Sequence, residues 1–173
     1  MNVNIKRLSL DAQIPAYAHA TDAGFDLVAA EDVIIEPGET ACVPTGLAFE
    51  IPEGYEMQIR PRSGITLKTK LRVQIGTVDA GYRGEVGVIV DNIAPLCTEL
   101  PSDYGPLMIS GAIYRMTGDL PILSYIIRKG DRIAQAVIKP VEQAVFTEVD
   151  ALGDSDRGAG GFGSSGVRQG DLV

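Results

Sequence analysis

No stretch of this sequence approaches the ~20 consecutive apolar residues that span a bilayer, so no membrane partner is expected. The first residues, Met1-Asn2-Val3-Asn4-Ile5-Lys6-Arg7, carry basic side chains without an apolar segment after them. That is not a secretory signal, and the cytoplasm is the expected location. Histidine occurs once, as His19, with no Ser/Asp or metal-ligand partners in view, and reads as a surface residue without a role. Cysteine occurs twice, as Cys42 and Cys97. They lie far apart without metal-type spacing and read as reduced thiols. Basic residues are in the minority, 15 Lys and Arg against 23 Asp and Glu, for a net charge of −8. They are scattered rather than gathered into a patch, so nucleic acid is not an expected partner. Long apolar stretches of helical period are missing too, which excludes a helical bundle.

What is plentiful is turn chemistry. Glycine and proline number 20 and 10 in 173 residues, beside 45% hydrophobic residues. That composition supports one core built from short strands and tight turns. Strands are predicted at Val3–Leu8, Phe25–Ala29, Asp32–Glu36, Ala41–Val43, Leu47–Ile51 and Tyr55–Arg60. Pro37-Gly38 and Pro52-Glu53-Gly54 supply turns between them. Ser63–Lys70 is predicted as a short helix with Ser63 as N-cap. Leu71–Ile75 and Glu85–Val90 read as a hairpin around a Gly-rich turn. Ile122–Ile127 and Arg132–Ile138 read as a further pair around Lys129-Gly130-Asp131, and Phe146–Val149 as the last strand. The fold class is therefore all-β, a sandwich or closed barrel with at most one short helix.

Two segments break the rhythm. Residues of about 92–121 hold Pro95, Pro101, Pro106 and Pro121 with Gly105, Gly111 and Gly118. A connection longer than ~12–15 residues is either functional or disordered. The tail from Gly153 onward includes Arg157-Gly-Ala-Gly-Gly-Phe-Gly-Ser-Ser-Gly166, which cannot form a core element and reads as a mobile arm. The domain expectation is a β-barrel over 1–152, carrying the inserted lobe, and a flexible arm over 153–173.

An acidic protein that binds a polyphosphate must place cations and backbone N–H groups locally, and a divalent metal is the obvious supplement. The tail offers such a set. Successive glycines turn N–H groups toward an anion, Arg157 adds a forked cation, and Ser164 and Ser165 add hydroxyls. Phe162 would cap a flat ligand. The plainer alternative is a Gly/Ser linker with an incidental Phe. Gly76-Thr-Val-Asp-Ala-Gly-Tyr-Arg-Gly84 sets Asp79 and Tyr82 on a turn, where an ionised carboxylate can orient and deprotonate water. Asp-Ala-Gly is also ordinary turn chemistry. Arg60-Pro-Arg-Ser-Gly64 follows a strand and opens a helix, a place suited to phosphate or simply to a cap. Asp22-Ala-Gly-Phe-Asp-Leu27 and Gly130-Asp-Arg-Ile-Ala-Gln135 set polar residues into strand starts, where turns and interior ion pairs are common.

In order, five of these pieces resemble the five motifs of the trimeric dUTPase family: Ala23–Leu27, Pro61–Gly64, Gly76–Gly84, Gly130–Gln135 and Arg157–Gly166. Each is weak alone, and five in order make a specific match over 1–91 and 122–166. The resemblance implies a dUTPase-like β-barrel or distorted jelly roll. It also implies a homotrimer with sites shared between subunits, and hydrolysis of dUTP to dUMP and pyrophosphate. That reaction keeps uracil out of DNA and supplies dUMP for dTMP synthesis. Asp79 would orient the water that attacks the α-phosphorus. Tyr82 would pack on the deoxyribose and exclude a 2′-OH. The main chain of Gly76 and Val78 would read the uracil edge. Arg62, Ser63, Gly64 and Gln135 would contact phosphates, and Asp26 would hold the water shell of Mg²⁺. Phe162 would lie over uracil, with Arg157, Gly163, Ser164 and Ser165 around the γ-phosphate.

Three departures stand out. Ser165 replaces the usual Thr. Val73–Ile75 replaces a segment that often supplies an Asn near the base. The insertion at about 92–121 resembles the extra segment of dUTPases from phages and prophages of Gram-positive bacteria, some of which bind a repressor. A regulatory protein partner through this segment is therefore one alternative expectation. The insertion is otherwise expected to be a surface lobe dispensable for chemistry. A dCTP deaminase relative is a further alternative. It shares the fold but typically lacks the complete Gly-rich arm and the hairpin Tyr.

Overall fold

Side-chain alternation decides how the strands lie. In β6 (Tyr55–Pro61) Met57 and Ile59 are buried, while Glu56, Gln58 and Arg60 between them stay partly exposed. In β9 (Gly87–Asn92) Val88, Val90 and Asn92 point inward and Ile89 outward. This period of two is that of strands with one face on a core. The computed structural model describes residues 1–96, 106–113 and 120–161. The chain forms two compact units, Met1–Glu142 and Gln143–Val173.

The first unit holds every strand and the one short helix among the described residues. Its widest sheet runs β2 (Phe25–Val28), β12 (Arg132–Pro140), β6 and β8 (Gly76–Asp79), in the order β2-β12-β6-β8. A second sheet is ordered β4 (Thr40–Pro44), β9, β7 (Leu71–Val73), and a third β10 (Leu107–Met108), β11 (Tyr125–Ile127), β3 (Val33–Ile35). β1 (Asn4–Arg7) pairs with β5 (Leu47–Glu50). All described pairs of strands are antiparallel except β10 with β11. Leu27, Ile35, Val43, Met57, Val88 and Ile127 are all but solvent-free in one shared cluster. Each such burial stabilises by roughly 1.5–3 kcal/mol. No described helix is long and apolar enough to cross a membrane.

The all-β expectation with one short helix therefore holds, but four local expectations need correction. The helix α1 is Ser63–Lys68, and its N-cap is Arg62, which makes no side-chain capping bond. Ser63 is already inside the helix. The C-terminal end is held instead by Thr69, whose hydroxyl donates to Ile65 O at 2.7 Å and accepts from Leu71 N at 3.0 Å. β7 does pair with β9, yet the segment between them is not one turn. Gly76–Asp79 forms β8, which leaves for the other sheet and pairs with β6. β11 and β12 are not partners either. β11 pairs with β3 and β10, and β12 lies between β2 and β6. The turn between them is a corner from one sheet to another, with Gly130 at φ +93° and Asp131 accepting from Arg128 N at 2.8 Å. Phe146–Val149 forms no strand, and Phe146 is 93% exposed.

Two irregularities fix the outer-face polar residues and the inserted segment. β12 carries a bulge against β2 between Arg132 and Ala134. One extra residue reverses the in-out parity of a strand. Here Ile133 and Ala134 are both buried, and Gln135 emerges on the outer face opposite Asp26 of β2 and Arg60 of β6. Asn92, at the end of β9, is 1% exposed. Its amide donates to Ile35 O at 3.0 Å and Leu123 O at 2.9 Å, and its carbonyl accepts from Ala94 N at 3.0 Å. One fully satisfied side chain thus ties down both ends of the inserted segment.

Candidate active site

Asp26 sits at the centre of a set of cations. Its Oδ1 lies 2.9 Å from Arg62 Nε, and its Oδ2 lies 3.2 Å from Arg132 Nη1. Arg62 Nη1 donates to Arg132 O at 2.9 Å. Both guanidinium groups are thereby held by one carboxylate while part of each stays open to solvent. A cavity of about 340 Å³ is lined by Asp22, Asp26, Arg60, Arg62, Arg132 and Gln135. A second, of about 550 Å³, adds Ser63, Gly64, Lys68 and Asp131 to Arg62, Arg132 and Gln135. The charged lining of this larger cavity is Arg62, Lys68 and Arg132 against Asp131 alone. In a chain of net charge −8, this is a local cationic basin suited to a polyanion.

The second group is built on the β8 turn. β8 is an edge strand bonded only to β6 among the described residues, so its other edge offers unpaired N–H and C=O groups. Gly76, Val78, Asp79 and Tyr82 line one cavity of about 240 Å³. Val78 turns its side chain into the core at 8% exposure, leaving its main chain for any ligand. The turn is closed by Tyr82 N donating to Asp79 O at 3.1 Å. Tyr82 then donates its phenol to Glu85 O at 2.9 Å. The hydroxyl end of its ring sits against Gly84, where a Cβ would collide with the phenol. Glycine at 84 therefore leaves room for this placement of Tyr82. Asp79 is exposed.

These two groups are apart in one chain. On β6 Asp79 is paired with Glu56, while Gln135 is paired with Arg60 and Arg62 follows two residues later. At 3.3 Å per residue, Glu56 and Arg62 are on the order of 20 Å apart. Asp26, Arg62, Ser63, Gly64 and Gln135 come together, as do Gly76, Val78, Asp79 and Tyr82, but the two sets do not meet. Arg157 belongs to the second unit, where its Nε donates to Gly160 O at 2.7 Å. Phe162, Gly163, Ser164 and Ser165 lie outside the described residues.

Sequence reasoning overlooked Arg60, Lys68 and Arg132. Arg132 stands inside the fourth motif, and Arg60 could have been placed by counting alternation along β6. The insertion was read as a surface lobe or a docking segment for a regulatory protein, and the structure adds that its Ile109 and Ser110 line the larger basin. Among the described residues no three His, Cys, Asp or Glu group together as metal ligands. An all-protein cage is thus absent there. The donor set fits an ion such as Mg²⁺ that keeps its waters and takes phosphate oxygens, with Asp26 as a carboxylate for the water shell.

Comparison with known proteins places these features in context. The family model described as dUTPase matches residues 11–95 and 123–166. The deoxyuridine 5′-triphosphate nucleotidohydrolase of Thermobifida fusca is 46% identical over 168 residues, covering 96% of this chain and 79% of that protein. Among solved structures, a point mutant of the Staphylococcus bacteriophage 80alpha dUTPase with dUpNHpp is similar at a TM-score of 0.89 and 38% identity. That match covers 96% of this chain and 99% of the phage chain. A mutant dUTPase from phage phi11 of S. aureus, described with a structural Mg(II) ion, is similar at a TM-score of 0.83 and 35% identity. It covers 88% of this chain and 99% of the phage chain.

Proposed function

The chain belongs to the dUTPase family and hydrolyses dUTP to dUMP and pyrophosphate, and we propose that it assembles each active site from several copies of itself in a homotrimer. The observation that carries this is the separation along β6. A base at Asp79 and phosphate ligands at Arg62 must reach one nucleotide, yet they stand on the order of 20 Å apart in a single chain. A neighbouring copy closes that distance.

In this reading the β8 edge takes the base. Uracil presents acceptor, donor, acceptor along one side, and a strand edge answers with N–H, C=O, N–H from main chain around Gly76 and Val78. Tyr82, whose phenol end sits against Gly84, walls the sugar and leaves no room for a 2′-OH. Asp79 accepts the proton of the water that attacks the α-phosphorus in line. Arg62, Ser63, Gly64 and Gln135 of another copy hold the departing phosphates. Such chemistry asks for positioning and charge neutralisation more than covalent work. Mg²⁺, with Asp26 on its water shell, would supply further neutralisation of the triphosphate. The segment 153–173 would close as an arm, bringing Phe162 to the base and Arg157, Gly163, Ser164 and Ser165 to the terminal phosphate. The alternative in which a regulatory protein docks on the insertion at about 92–121 rests on the resemblance to phage enzymes alone.

The test is pyrophosphate release from dUTP, UTP, dTTP and dCTP, with ammonia release followed in the dCTP arm. The expected kcat/KM for dUTP exceeds that for UTP by about 10²-fold or more, the scale on which a pocket rejects an added hydroxyl. Comparable values for dUTP and UTP would remove Tyr82 from its role. Ammonia from dCTP would favour the deaminase reading.

A further inference from the structure

The family match stops at residue 95 and resumes at 123, so the hairpin between them lies outside what the family shares. It is nevertheless firmly built. Leu107 and Met108 pair in parallel with Tyr125 and Ile126, and Leu107 N donates to Ser124 O at 2.8 Å. Gly111 N closes the turn on Met108 O at 2.8 Å, and Met108 N donates to Ala112 O at 2.7 Å. Gly111 takes φ +85°, a conformation that L side chains rarely adopt. Ile109 packs against the hydrophobic core, which anchors the tip. That tip, Ile109 and Ser110, lines the basin shared by Arg62, Ser63, Lys68, Arg132 and Gln135.

We propose that this inserted hairpin is a wall of the phosphate basin and that Ser110 is a further ligand of the pyrophosphate end of the nucleotide. The proposal rests on the reading of that basin as the phosphate half of the site. Ser110 is exposed and carries a hydroxyl that can donate to a phosphate oxygen. The charged residues around the cavity are Arg62, Lys68 and Arg132 against Asp131, a setting where a polyanion is held and a donor strengthens its grip. Ala112, two residues on in the same turn, is also exposed but does not line the cavity. The insertion thus tunes retention of substrate and release of pyrophosphate, beyond any role as an exterior lobe.

The experiment is calorimetric titration of magnesium pyrophosphate, and separately of dUMP, into the full-length protein and its variants. Ser110→Asp should weaken pyrophosphate binding by about tenfold or more, because it sets a carboxylate against the anion, with dUMP binding within about twofold of wild type. Ser110→Lys should tighten pyrophosphate by a comparable factor, a gain that misfolding does not produce. Ala112→Asp places the same charge on the same turn outside the cavity and should change neither. The proposal is overturned if Ser110→Asp and Ser110→Lys bind pyrophosphate like wild type, if Ala112→Asp matches Ser110→Asp, or if dUMP weakens in parallel. Arg62→Gln separates the two levels of the reading. If it weakens pyrophosphate while the Ser110 variants do not, the hairpin wall alone is wrong. If it too leaves pyrophosphate unchanged, the basin is not the phosphate half-site.

Discussion

Two chains that are each inactive alone should regain activity when mixed. Asp79→Asn keeps the shape of the side chain but cannot take a proton, and loss of a general base costs about 10²–10⁴ in rate. Arg62→Glu reverses a cation that Asp26 holds at 2.9 Å, and places a negative charge where the phosphates should lie. If one site takes Arg62 from one copy and Asp79 from another, a working site needs an Asp79→Asn chain on its phosphate side and an Arg62→Glu chain on its base side. In a closed cyclic trimer containing both kinds, one of the three sites has that arrangement, whichever kind is in the majority. Random refolding of equal amounts makes about three quarters of the trimers mixed. The mixture should therefore recover about a quarter of wild-type specific activity. The assay is pyrophosphate release from dUTP before and after co-refolding, with a tag on one chain to count mixed trimers by mass. Mixed trimers without recovered activity would refute the sharing, and both half-sites would then have to converge within one chain.

Gly84→Ala should displace the Tyr82 ring that lies against it and lower the kcat/KM preference for dUTP over UTP by about tenfold or more; an unchanged ratio would show that the ring does not wall the sugar. Asn92→Leu strips three hydrogen bonds from a buried junction and should cost about 2–4 kcal/mol in urea unfolding; a cost below about 0.5 kcal/mol would mean the insertion's ends are held elsewhere. The Asp32 carboxyl is held below its ordinary value of 3.8, chiefly by the N–H of Lys129; burial opposes this, and the Arg128 guanidinium adds to the lowering. A depressed folded pKa gives stability that is present above the unfolded value and lost as pH falls through the folded one. Wild type should therefore exceed Asp32→Asn in Tm at neutral pH, and the gap should close on acidification below 3.8; a gap independent of pH would contradict this.

Much of the scaffold could be read from local pattern. Met57 and Ile59 alternate with polar residues, which is enough to declare a strand and its buried face, whereas the apolar run Val88-Ile89-Val90 declares a strand without saying which face is buried. Partners were less legible, because pairing is decided by contacts far apart in sequence. Gly76–Gly84 reads as turn from its glycines, yet its first four residues gain more by pairing with β6. Phe146–Val149 has the β-branched and aromatic residues of a strand, but among the described residues no edge receives it. The bulge at Arg132–Ala134 was invisible, since a parity change has no composition of its own. That one residue decides whether Gln135 faces the core or joins Asp26 and Arg60. The site residues carried by motifs were legible as identities, and their division between chains was implied by the family resemblance, not by the local pattern. It depends on where along β6 each residue is paired, Asp79 at Glu56 and Gln135 at Arg60.

That division has an electrostatic consequence. Arg62 and Arg132 are already spoken for by Asp26, and Asp131 by the Arg128 N–H, so the basin keeps its cations in place without collapsing onto them. Had Asp79 been built beside the same cations, it would have been drawn into an ion pair with them and away from a water. Placing it at the far end of β6 leaves it exposed and unpaired among the described ion pairs. Under the proposed sharing, base and phosphate ligands meet only when copies assemble and a nucleotide lies between them. The polyanion then offsets the cations at the moment Asp79 must accept a proton. The strand that separates the two half-sites in one chain is thus what keeps each of them chemically fit for the other.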